Sequence, residues 1–427
     1  MACRGSGVQI PSAPLKMNFR YFKSIIFEVK ELATSQILIV ILLFIQIGVV
    51  TRGLGTSEYG KVALILTLVA IVFRTLHGKN SDVTLISLKK SGTDIFTLSI
   101  FYDLLIGLVA FAFCLALFNS TANNLFGAYE VNMILYLLLF TRVIHTFSES
   151  SKAVLIYTEN LKKFALVETV AHVIRFSTII LLFISNKTIE SYLIGQSAYS
   201  LIYGFYSLYI CREFINIASI SISNIKNYFS EFKLTYLKQR VDQIVGIIPQ
   251  HFDLVILGYF TDYSVVGIFR VSKRLVEPVN YLITILTPYI QSKLSKNELK
   301  INFRDLFLKF LFPLGIFIIL FYIYFGKSFI EIIAGDQFTN AYNSMLILLI
   351  GYIFYFYTFW IRQLLLFNNL IHYHALGRLI ALVIFIVFGY ILTNFYGPSG
   401  LAFAVSFSMI IQKLYEIYVY RRYSNLT

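Results

Sequence analysis

Arg52, Asp103, Arg142, Arg175, Asp253, Arg270, Lys273, Arg274, Glu277 and Arg362 all stand inside, or at the ends of, long apolar stretches of the chain. Cations outnumber carboxylates in this set. The planar donor fork of arginine matches phosphate oxygens, so a cavity lined by Arg270, Lys273, Arg274, Arg52, Arg142, Arg175 and Arg362 would suit a phosphate-bearing anion. Arg270, Lys273 and Arg274 share one helical face by spacing, and Glu277 continues it with a partly neutralising charge. Asp253, Asp103 and Glu277 are the carboxylates a coupling H+ or Na+ would use. Each residue also has a structural reading: Arg52, Arg142 and Arg362 can extend from span ends to the interface, and the others can close as ion pairs.

The stretch TRGLGTSEYGKV, residues 51 to 62, offers a different chemistry. Its glycines Gly53, Gly55 and Gly60 fit neither the dinucleotide fingerprint nor the P-loop, and no strand precedes them. It reads as a hairpin turn between two buried helices, with Thr56 or Ser57 as cap and Glu58 in the first turn. His145 and His172, near span ends, read as hydrogen-bonded structural residues. His372 and His374 stand two apart in a loop without a third ligand, and Cys3, Cys114 and Cys211 have no C-x-x-C spacing. No catalytic residue, metal or cofactor is expected.

The elements that carry these residues follow from composition. The chain has 427 residues, 58% hydrophobic and 14% charged, with a mean hydropathy of +0.74, which excludes an ordinary soluble protein. The net charge of +14 is dispersed between apolar segments and does not form a nucleic-acid surface. Apolar runs recur near the length that crosses a bilayer, where helices satisfy the backbone. They lie near 35–51, 61–76, 97–118, 131–148, 167–185 and 192–210, then near 241–258, 264–288, 306–325, 341–360, 375–394 and 398–419. The expected fold is an all-α polytopic membrane protein of about 12 transmembrane helices, in two pseudo-symmetric six-helix bundles around a central cavity. Pro249, Pro278, Pro288 and Pro313 read as kinks. Lys and Arg concentrate in alternate loops, which puts both termini on the cytoplasmic side. The group Arg270, Lys273 and Arg274 is the exception, falling in span eight or beyond its outer end.

The polar segment 211–240 divides a lobe at 17–210 from one at 241–427. An even number of spans before it permits a parallel repeat. VVTRGLGTSEYGKVALI after span one has a counterpart in VILGYFTDYSVVGIFRV after span seven. Residues 1–16 lack a signal-peptide core, and their VQIPSAP run is what the end of a transfer-RNA gene would encode. Translation is therefore expected to start at Met17.

TRGLGTSEYGKVALILTL resembles the R-x-LG-x-x-x-YG signature of polysaccharide and O-antigen flippases of the multidrug/oligosaccharidyl-lipid/polysaccharide exporter superfamily. FDLVILGYFTDYSVVGIFRVSKRLVEPV (252–279), TPYIQSKLSK, IIAGDQFTNAYNSMLILLIGYIF and NFYGPSGLAFAVSFSMIIQ are similar to later motifs of that family, in order. The resemblance covers most of the chain from Met17. It implies a bacterial inner-membrane flippase that moves an undecaprenyl-pyrophosphate-linked oligosaccharide by alternating access, for O-antigen and lipopolysaccharide, capsule or exopolysaccharide. Implied partners are the lipid-linked substrate, membrane lipids, H+ or Na+, and glycan polymerase and chain-length proteins. Asp253 stands at the family's Asp position.

Two alternatives compete. A membrane-embedded glycan polymerase or ligase would need a large outer loop with catalytic arginines, and the outer loops here are short. A multidrug exporter of the same superfamily would favour an acidic cavity, and this chain's intramembrane balance is basic.

Overall fold

Span one shows why the chain belongs in lipid. Ile37, Ile41 and Ile45 are exposed at helical spacing, while Ile39, Leu43 and Ile47 on the opposite face are buried. A helix apolar all round is stable only where its outer face also avoids water. The same pattern recurs in exposed Leu181 and Ile184, Phe317 and Tyr324, and Val383 and Ile386.

The computed structural model describes residues 19–77, 80–125, 133–217, 220–296 and 307–424. Residues 1–16, on which the expectation of a start at Met17 falls, lie outside the described residues. The first bundle consists of α1 (Phe19–His77), α2 (Asn80–Ser91), α3 (Phe96–Leu125), α4 (Met133–His145), α5 (Phe147–Tyr157), α6 (Leu161–Ser185) and α7 (Ile189–Ile210). The second consists of α8 (Ile222–Phe260), α9 (Tyr263–Val276), α10 (Pro278–Ser295), α11 (Phe312–Ala334), α12 (Ala341–Phe367) and α13 (Ile371–Ser424).

Passes and helices do not correspond one to one. α1 is broken at Gly55 (φ 75°) and α13 at Gly397 (φ 56°), so each of these makes two passes. Only glycine reaches that backbone region without strain. Conversely α4 with α5, and α9 with α10, each build one pass from two short helices. The protein is thus an all-α polytopic membrane protein of about twelve passes, six per bundle. α2 is an extra strap on the face where α1 begins and α13 ends, the termini face. Segment 211–240, a linker by its polarity, is already helical from Ile222 onward as the start of α8. Pro278 marks the α9–α10 break and Pro288 lies within α10.

The two bundles meet most closely on the far face. A Cβ at Gly60 would overlap the carbonyl oxygen of Tyr263, and one at Gly267 would overlap that of Thr56. The contact is reciprocal, and these are equivalent positions of the repeat visible in the sequence. Small residues let helix backbones approach in this way inside a membrane. Ser264 Oγ donates to Thr56 Oγ1 at 2.7 Å, so the Thr56 hydroxyl ties the two bundles together. Nearby, Thr51 Oγ1 donates to the Ala334 carbonyl at 3.0 Å. Gly60→Leu is therefore expected to hold the far face apart. The measure is maleimide labelling of a cysteine placed at Thr56, which should rise several-fold over the glycine parent. Unchanged labelling would show that the seam tolerates a side chain.

Candidate functional site

Mid-membrane turns from both bundles bring charged and aromatic side chains to the space between them. From the first bundle come Arg74 on α1, Arg142 and His145 on α4, Glu149 on α5, His172 and Arg175 on α6, and Tyr199 on α7. From the second come His251 and Asp253 on α8, Arg270, Lys273 and Arg274 on α9, Glu277 at the α9–α10 break, and Tyr281 on α10. Arg74 lies within electrostatic reach of Glu149, Glu277, Arg270 and Tyr199. Arg142 lies within reach of Arg74, Arg175 and Tyr199, and Tyr281 within reach of Arg175 and Tyr199.

The basic group divides into compensated and uncompensated cations. Lys273 Nζ is 2.6 Å from Asp253 Oδ2, both side chains being almost wholly buried. Arg274 Nη1 is 2.6 Å from Glu277 Oε2. Among the described residues, no carboxylate lies within ion-pair distance of Arg74, Arg142, Arg175 or Arg270. Arg74 Nη1 donates to His251 Nε2 at 2.9 Å. A guanidinium has no acceptor, so His251 must present a bare ring nitrogen. The Arg175 guanidinium sits 5.2 Å from the centre of the Tyr199 ring, which stacks on Tyr203. The Nε atoms of Arg142 and Arg175 are buried without a hydrogen-bond partner, as is Nδ1 of His172. The two guanidinium groups thus hold donors that an acceptor could satisfy.

The other residues singled out in the sequence lie elsewhere. Arg52 is exposed at the far face and donates to the carbonyls of Glu331 and Ile332 at 3.4 and 2.6 Å, where the end of α11 concentrates negative partial charge. Asp103 is fully buried near the termini face. It accepts from Asn80 Nδ2 and from Ser150 Oγ at 2.5 Å, and lies 3.0 Å from His77 Nε2. Arg362 belongs to a seam that closes the termini face. Its Nη2 is 2.5 Å from Asp82 Oδ2 on α2 and 3.9 Å from Asp242 Oδ2 on α8.

That seam holds what sequence reasoning missed. Arg378 Nη1 reaches Asp242 Oδ2 at 3.0 Å, Lys413 Nζ reaches Glu416 Oε2 at 2.7 Å, and His374 Nδ1 lies 2.9 Å from Glu416 Oε1. His374 is therefore buried between carboxylates in the opening turns of α13 and does not sit in a loop. No cluster with metal-ligand geometry is present among the described residues. Further out, Lys293 of α10 and Lys296 just beyond its end approach Glu159 of the first bundle at 3.5 and 3.2 Å. Burial alone would raise the Glu159 carboxyl, but the hydrogen bonds and charge of the two lysines hold it below its usual value. This part of the seam is accordingly intact at neutral pH and is lost as pH falls through that lowered value.

Two bundles facing one another across a charged interior make up the fold, and the chain shares that fold with solved membrane proteins. The lipid II flippase MurJ in its inward closed conformation superposes with a TM-score of 0.69 at 18% identity, covering 93% of this chain and 87% of that one. The Vibrio cholerae MATE transporter VcmN in its bent form gives 0.64 at 14% identity, covering 94% and 97%. A MOP-superfamily transporter from Pyrococcus furiosus gives 0.65 at 12% identity, covering 94% and 97%. No curated protein sequence matches the chain. Residues 29–292 match the model of the polysaccharide biosynthesis protein family, and the chain belongs to that family.

Removing one partner of a buried ion pair strands the other, typically at about 3–5 kcal/mol, whereas replacing both with apolar groups is close to neutral. Asp253→Asn should thus lower the thermal unfolding midpoint of the purified protein. Asp253→Leu combined with Lys273→Met should recover most of the loss. A double variant no more stable than the single one would mean that the pair is not the unit of stability.

Proposed function

We propose that this protein is a flippase for an undecaprenyl-pyrophosphate-linked oligosaccharide in the bacterial inner membrane, with both termini cytoplasmic. It would serve O-antigen, capsule or exopolysaccharide synthesis, alongside a polymerase and chain-length proteins, in two lobes of 17–210 and 241–427 joined through 211–240. The observation that carries the reading is the set of arginines between the bundles, Arg74, Arg142, Arg175 and Arg270, that have no carboxylate within ion-pair distance among the described residues. A diphosphate supplies the missing charge, and bidentate arginine contacts fit its oxygens. A cationic drug would meet repulsion there, which disfavours the exporter alternative.

Within this reading Arg142, Arg175 and Arg270 bind the headgroup directly, joined by Arg74. Lys273 and Arg274 contribute field while fastened to Asp253 and Glu277. Arg362 acts at the termini face, and Arg52 steadies the far end of α11. A coupling H+ or Na+ taken up at Asp253 or Glu277 would have to displace Lys273 or Arg274, and one at Asp103 would compete with Asn80 and Ser150. Cycling between states then requires the two seams to open in alternation around the central cations.

The test is complementation in cells lacking the gene, read as surface glycan on gels. Arg142→Gln with Arg175→Gln should reduce glycan by about tenfold or more, the scale of losing a charge-assisted contact or two, while membrane insertion is retained. Arg270→Ala with Lys273→Ala should do the same. Normal glycan in both double variants would remove the proposed headgroup site.

A further inference from the structure

Asp82 is held at both carboxylate oxygens by side chains of the other bundle. Arg362 Nη2 is 2.5 Å from Oδ2, and Gln291 Nε2 is 3.1 Å from Oδ1. Gln291 Nε2 also donates to Gln363 Oε1 at 3.0 Å, which orients the amide toward the seam. Arg362 is 2% exposed and Asp82 3%. Together the guanidinium and the amide form a buried two-donor anion seat. Its present occupant is tethered to the opposite bundle through α2.

Arg362, Arg378 and Lys413 face Asp82, Asp242 and Glu416, with His374 between the last two. Of these carboxylates Asp82 alone comes from the first bundle. Asp242 is the more distant counter-charge, 3.9 Å from Arg362 and engaged by Arg378 at 3.0 Å. Opening the termini face must carry Asp82 away with α2, leaving the Arg362 guanidinium and the Gln291 amide without the carboxylate that satisfies their donors. Water admitted by the opening replaces that charge only in part, so the open state favours an anion whose oxygens take both donors.

We propose that Arg362 and Gln291 form a capture site for a phosphate-bearing headgroup, and that Asp82 is the resident stand-in for that phosphate. Substrate and closing carboxylate compete for one guanidinium. The two carboxylate oxygens mark where two phosphate oxygens sit, and an empty carrier closes on Asp82 instead. This rests on the flippase reading and adds to it the means by which an unloaded protein keeps its termini face shut.

The full-length protein in lipid nanodiscs is titrated with inorganic pyrophosphate, and separately with farnesyl diphosphate, following fluorescence of the chain's single tryptophan, Trp360, two residues from Arg362. Binding at the mid-membrane arginines is common to all variants, so the reading is the difference between them. Asp82→Asn should tighten binding by about tenfold, the scale of one charged contact; Asp82→Glu, which keeps the competitor, should not. The gain should vanish when Arg362→Gln is added. A gain shared by both probes assigns the seat to the phosphate itself, and one confined to farnesyl diphosphate assigns it to a lipid headgroup. No gain, or a gain that survives Arg362→Gln, overturns the proposal.

A second measurement does not depend on the folding of Asp82→Asn. Cysteines at Glu159 and Lys296 are bridged by a bifunctional maleimide in membrane vesicles. Farnesyl diphosphate should slow bridging several-fold in the parent and leave it unchanged with Arg362→Gln, whereas the same slowing in both would overturn the proposal. If lipid-linked glycan proves not to be moved at all, the functional reading falls while the pyrophosphate comparison still decides the seat.

Discussion

A guanidinium does not shed its proton at any pH the protein meets, so burying one in a membrane leaves two outcomes. Either a carboxylate neutralises it, or something else must. In this protein both outcomes occur a turn apart on one helix. Lys273 and Arg274 are matched by Asp253 and Glu277, while Arg270 on the preceding turn is not, and neither are Arg74, Arg142 or Arg175 opposite, among the described residues. The matched pairs fix the geometry of α9 and its junction with α10. The unmatched arginines retain an electrostatic demand, which is tolerable only next to water or an anion. Their placement between the bundles, with Tyr199, Tyr203 and His251 as neutral supports, makes the central space the place where that demand is met.

The seams that close this space differ in kind. On the far face, backbones touch at Gly60 and Gly267 through the carbonyls of Tyr263 and Thr56, with one hydroxyl pair beside them. Such a contact is short-ranged and indifferent to charge. On the termini face, closure is ionic: Asp82 with Arg362, and Glu159 with Lys293 and Lys296. Ion pairs respond to any competing charge that reaches them, and a packed glycine seam does not. An anionic ligand would therefore act on one face directly and on the other only by moving the bundles.

Much of the architecture was legible in the sequence, because bilayer crossing imposes a length and an apolarity that few other constraints mimic. The repeat was legible too, in the shared hairpin pattern around Gly60 and Gly267, though their mutual contact was not. What periodicity could not reveal was pairing across the chain. Arg270, Lys273 and Arg274 look equivalent by spacing, and only the positions of Asp253 and Glu277 separate them. Arg74 reads as a loop cation because it lies close to the end of its apolar run; in the structure it turns inward to His251. Asp82, Asp242, His374 and Glu416 sit in or beside segments polar enough to pass for loops. Their basic partners near span ends are what the cytoplasmic charge rule produces anyway, and that rule is silent on the carboxylates.

The termini-face network shows why a single carboxylate at membrane depth should not be judged alone. Asp103 gathers Asn80, His77 and Ser150, residues from the root of α2, the end of α1 and the body of α5. Holding Asn80 there sets where α2 begins, and two residues further along α2 is Asp82. A buried carboxylate inside one bundle thus aims the carboxylate that reaches across to the other. If Asp103 let go of Asn80, the strap would lose its anchor, and the effect would surface at Arg362. Position in a chain of contacts, more than depth in the bilayer, decides what such a group can control.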